Sequence, residues 1–170
     1  MRALLGSALL VAMGAVACSS SVETFKDDEF RFPAGFSGVA VVVWGDSAGR
    51  LLERPRPGAR VFEFPADGVL RLQDRQPPGQ RWVDDFPPRF VFVAADGTTT
   101  SIASIWHPAG RIEQIDLIGT FMRTSEGGRV CSGEVFVVGF RDDVQKKAMR
   151  ATADRHVEAA CAAMGVLVSG

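Results

Sequence analysis

Apolar positions along this chain fall mostly into short runs closed by Gly, Pro, Asp and Ser, the pattern of β-strands. The run F-S-G-V-A-V-V-V-W, from Phe36 to Trp44, is rich in β-branched residues and apolar on both faces, which predicts a central strand covered on both sides. Next, A-R-V-F-E-F-P-A-D-G-V-L-R-L-Q-D sets Phe62, Phe64, Leu70 and Leu72 on one side and Glu63 and Arg71 on the other. With Pro65-Ala66-Asp67-Gly68 between its halves, this stretch predicts a hairpin. A second hairpin is expected in R-F-V-F-V-A-A-D-G-T-T-T-S-I-A-S, turning at Asp96-Gly97, the dipeptide favoured in two-residue type I′ turns. Strands starting near Arg111 and Arg129, with a marginal first strand at Glu29 to Phe32, bring the total to about eight.

Only the C-terminal stretch carries a long helical period. Asp142 is a suitable N-cap, and no glycine or proline follows until Gly165, so a helix is predicted over 142–164. Met149, Ala153, Val157, Cys161 and Met164 recur at spacings of four, four, four and three, one apolar stripe along that helix. The fold class that follows is mainly β: an antiparallel β-sandwich, immunoglobulin-like or transthyretin-like, with one C-terminal helix.

The N-terminus is organised differently. Arg2 precedes an apolar segment, Ala3 to Ala17, closed by small residues, and this is the form of a secretory leader. It is shorter than the roughly 20 apolar residues a membrane-crossing helix needs. Ala15-Val16-Ala17-Cys18 resembles a bacterial lipobox, in which the cysteine thiol is acylated after cleavage, although leucine is more usual where Ala15 stands. Ordinary cleavage after Ala17 is the alternative and would leave an exposed thiol. Residues 1–17 are thus expected as leader, 18–28 as a polar tether and 29–170 as the folded domain, with Ser19 after the cysteine pointing to the outer membrane of a two-membrane bacterium.

About 150 residues remain after the leader, enough for one core. The net charge of -1, from 19 basic and 20 acidic side chains interspersed along the chain, leaves no footprint for nucleic acid. With Cys18 acylated, Cys131 and Cys161 are the remaining cysteines, and an oxidising envelope favours a disulfide between them over two buried thiols. Such a bridge would clamp the helix to the sheet.

Candidate chemistry is sparse. Gly45-Asp46-Ser47-Ala48-Gly49 matches the G-x-S-x-G nucleophile elbow, with Asp116 and His156 in the chain order of a triad. An elbow needs a helix directly after it, and Pro55 and Pro57 oppose one. Ser47 is therefore read as the tip of a turn, with a small serine hydrolase as the alternative function, and no catalytic residue is assigned. His107 and His156 lack metal-ligand spacing, and neither metal nor cofactor is expected. Asp27-Asp28-Glu29, Asp84-Asp85 and Asp142-Asp143 read as solvated turns and a helix cap. Trp44, Trp82 and Trp106 read mainly as core, but Trp82, in the loop-like P-P-G-Q-R-W-V-D-D-F-P-P, is a candidate ligand contact for a carbohydrate- or lipid-binding domain. Arg54 and Arg56, in a proline-rich loop with Arg50 and Arg60, are candidate contacts to anionic headgroups.

The segments P-A-G-F-S-G-V-A-V-V-V (33–43), V-F-E-F-P-A-D-G-V-L (61–70) and F-V-V-G-F-R-D-D (136–143) are similar to a family of short bacterial lipoproteins of unknown function. A P-x-G-[FY]-x-G lead into a strand and an [IF]-P-x-[DN]-G turn carry the resemblance, with Phe64 where isoleucine is usual. It implies a small secreted β-sandwich and supplies no activity. The expectation from sequence is a non-catalytic binding or structural module held at the membrane through its N-terminal lipid, with an envelope protein or a glycan as partner.

Overall fold

The computed structural model describes residues 27–76, 88–104, 114–139 and 143–166. Nine strands and one helix run in the order β1 (Asp27–Pro33), β2 (Gly38–Trp44), β3 (Ala59–Glu63), β4 (Val69–Arg71), β5 (Arg89–Val93), β6 (Thr99–Ser101), β7 (Ala103–Ser104), β8 (Gln114–Thr124), β9 (Val130–Val138) and α1 (Asp143–Ala163). They form a four-stranded sheet ordered β3-β1-β5-β6 and a five-stranded sheet ordered β4-β2-β9-β8-β7.

Both sheets are mixed, which corrects the antiparallel expectation. β1 pairs in parallel with β3 and with β5, β2 in parallel with β4, and β7 in parallel with β8. The antiparallel pairs are β2 with β9, β5 with β6 and β8 with β9. The expected hairpin over 61–72 is the source of the difference. Its turn does close, with the Gly68 N–H donating to the Pro65 carbonyl at 3.0 Å, but β3 and β4 lie in different sheets. Alternation reports which side of a strand is buried, not which strand it pairs with. Phe62, Phe64, Leu70 and Leu72 do share one core, the two phenylalanines reaching it from β3 and its end and the two leucines from β4 and its end, in different sheets. At Gly68 φ is +76°, and a Cβ would stand 2.6 Å from the Val39 carbonyl oxygen, so the crossing itself needs glycine.

Between the sheets lies an aromatic core. The register sets Phe30 opposite Phe62 on one side and Phe90 on the other, and the Phe30 and Phe62 rings stack at 4.4 Å. Phe32 stacks on Phe64 at 4.5 Å, and Phe136 closes on Phe30 from the facing sheet at 5.2 Å. Trp44 is part of this core, not a surface platform.

The helix forms a third layer. Ala40, Val42 and Trp44 of β2 face the other sheet, whereas Val39, Val41 and Val43 face Ala153, Val157, Ala160 and Cys161 of α1. The two-sided apolarity of β2 is thereby explained. Cys131 and Cys161 are joined by a disulfide with their Cα atoms 5.6 Å apart, fixing β9 to the last turns of the helix. The helix stops at Gly165, φ +69°, where the Gly165 N–H reaches the Ala162 carbonyl and the Val166 N–H the Cys161 carbonyl, a Schellman closure. The Asp96-Gly97 hairpin is present, but as a three-residue loop: the Ala94 N–H donates to the Thr98 carbonyl, and Gly97 takes φ +83°.

Two expectations shift at the N-terminal side. The marginal first strand is central in its sheet, and it begins at Asp27, inside the stretch expected as tether. The leader, Cys18, Trp82, Trp106, His107 and the Asp142 cap lie outside the described residues.

Candidate functional site

G-D-S-A-G sits at the end of β2 as a β-turn. The Gly49 N–H donates to the Asp46 carbonyl at 2.8 Å, and the buried Asp46 carboxylate accepts from the Ala48 N–H at 2.9 Å while pairing with Arg71. Ser47 is exposed at the second position of that turn. No helix follows Gly49: Arg50 pairs back to Leu72, and a Cβ on Gly49 would stand 2.6 Å from the Arg71 carbonyl oxygen. Among the described residues no hydrogen bond joins Ser47 to the half-buried His156 of α1, and Asp116 lies on β8.

The basic loop is largely neutralised from within. Arg54 pairs with Asp74 at 3.0 Å, Arg56 with Asp27 at 2.8 Å and Arg50 with Glu63 at 3.8 Å. Arg60, grouped with them by sequence, belongs instead to β3 and is fully buried. Its guanidinium grips both carboxylate oxygens of Asp28, with Nε donating at 2.8 Å, and stands 5.2 Å from the Phe62 ring centre. Asp28 is thus not part of a solvated turn. A buried carboxylate there requires its cation.

Beside this pair lies Glu134 of β9, which no sequence motif marks. Its register places it opposite Val42, on the inter-sheet side of the sheet. Trp44 Nε1 donates to one carboxylate oxygen at 2.6 Å and Gln76 Nε2 to the other at 3.0 Å. Burial pushes its pKa up to about 7, against the pull of the Trp44 and Gln76 hydrogen bonds and the Arg60 charge. The available signal was an acid lodged in V-C-S-G-E-V-F-V-V, a run otherwise without charge.

Trp44 and Gln76 also line a half-open cleft of about 940 Å³. Its walls are the turn at Gly45–Ala48, the β8–β9 hairpin with Met122, Arg129 and Val130, and the C-terminal end of α1 with Met164 and Val166. Ser47 therefore faces this cleft, and Arg54 and Arg56 do not line it. Among the described residues no group of His, Cys, Asp and Glu side chains could hold a metal ion, and no helix is long and apolar enough to cross a membrane.

No protein-family model and no curated protein matches the sequence. One solved structure is similar in fold, a crystal structure of a Bacillus anthracis protein provisionally named as a lipoprotein. It is 17% identical, with a TM-score of 0.54 over 79% of this chain and 95% of that one. At this identity the likeness establishes a shared fold.

Proposed function

We propose that the protein is a lipid-anchored component of the cell envelope, acting as a non-catalytic binding or structural module. The observation that carries this reading is the position of Cys18, behind a leader and nine positions before the first strand at Asp27. Even fully extended, those nine residues span about 30 Å, so an acylated Cys18 would hold the domain against the bilayer. The shared fold with a protein provisionally named as a lipoprotein supports the same reading, and Ser19 favours the outer membrane. The turn geometry around Ser47 and the absence of a following helix support a binding role for the cleft over ester hydrolysis.

Labelled palmitate is expected to enter the wild-type chain in growing cells and not Cys18→Ala. Equal labelling of both would refute the anchor, and labelling of Ser47 by a fluorophosphonate would refute the non-catalytic assignment.

A further inference from the structure

The cleft combines cationic and apolar walls. Seven arginines are paired with acids, whereas Arg75 makes no ion pair among the described residues, and the Arg129 guanidinium donates to the Met164 carbonyl, at 3.3 Å. The cleft lining has one acid, Asp46, whose carboxylate is held by Arg71. Among the described lining residues the balance of charge, Arg75 and Arg129 against a paired Asp46, is therefore positive. The apolar part is equally local. Three large apolar side chains stand exposed among the described residues, and two of them, Met122 at 67% and Val130 at 46%, flank this cleft. A volume of about 940 Å³ lies within the range of small-molecule sites.

We propose that this cleft binds an amphipathic anion, a short acyl or alkyl chain ending in one carboxylate or phosphate, with Arg75 and Arg129 at the anionic head and Met122 and Val130 along the chain. The proposal rests on the binding-module reading and narrows its ligand. Charge-assisted hydrogen bonds from guanidinium to carboxylate or phosphate supply the polar half. Covering two apolar side chains that now face water supplies the other.

The test is calorimetric titration of the chain from residue 18 onward, carrying Cys18→Ala so that its own lipid cannot compete. Decanoate and decyl phosphate, kept below their micelle concentrations, are compared with uncharged decyl glucoside and with inorganic phosphate. Saturable binding of the two anions is expected, with the glucoside and phosphate each at least about tenfold weaker. Arg75→Gln and Arg129→Gln are each expected to weaken decyl phosphate about tenfold or more. Arg155→Gln, an equal charge change on the exposed side of α1, is expected to leave it unchanged. Co-sedimentation with phosphatidylglycerol vesicles, added to binding of the soluble anions, would make a membrane lipid the source; binding of the soluble anions alone would make it a free acid or phosphoester. Glucoside binding as tight as that of the anions would overturn the proposal while leaving a binding module intact. Equal weakening by Arg155→Gln would reduce it to long-range attraction, and no binding of any probe would remove it.

Discussion

Glu134 has an ordinary carboxyl value of 4.5 and is held near 7 by burial. Between those values the folded chain keeps a proton that the unfolded chain has released. Stability from this group is therefore present at low pH and lost as pH rises through about 7. The charged groups facing it are Arg60 and Asp28, which offset one another in part. Glu134→Gln keeps an acceptor for Trp44 and cannot ionise. It is expected to be more stable than wild type at pH 8, by on the order of 1–3 kcal/mol, and no more stable at pH 5. Urea unfolding at the two pH values reads this difference directly. Arg60→Met acts oppositely, leaving Asp28 charged and buried, and is expected to cost about 3–5 kcal/mol. Adding Asp28→Leu should recover most of that loss; a double variant as unstable as the single one would show that the cost is packing and not charge.

At the level of elements, the helix and β2 were legible because each carries its pattern within itself. The α1 stripe from Met149 to Met164 needs only a flat apolar partner, and the outer valines of β2 provide it. The same stripe placed Cys161 on the buried side, and the bridge to Cys131 was expected because these two cysteines remain once Cys18 is acylated. Removing it with Cys131→Ala and Cys161→Ala should lower stability by roughly 3–4 kcal/mol in the chain-entropy model, read as a fall in melting temperature with the sheet signal retained below it. The pairing of β3 and β4 was illegible for the converse reason. Their partners, β1 and β2, lie far upstream, and parallel pairing leaves no local turn signal. Glu134 is the one charge in its strand, and its meaning comes from Gln76 and Arg60, distant in sequence.

For the whole molecule, the sequence conveyed two sheets and a helix, and the structure adds their stacking order. One core, half of it aromatic, lies between the sheets, while a smaller, mainly aliphatic one lies beneath α1. The cleft exists only at this scale, since its walls come from a turn, a hairpin and a helix end that no single stretch of chain contains. Its two arginines carried no signal in a chain with 19 basic residues.

The strand nearest the N-terminus is also hydrogen-bonded along both edges by parallel neighbours. Tension applied at Asp27 would load both ladders in shear, all rungs together, whereas tension on the short β6 edge would peel its rungs one by one. Optical-tweezer traces should accordingly show higher rupture forces for handles at Asp27 and Val166 than for handles at Thr99 and Val166. A domain leashed through its first strand would then withstand drag from its surroundings better than its modest size suggests.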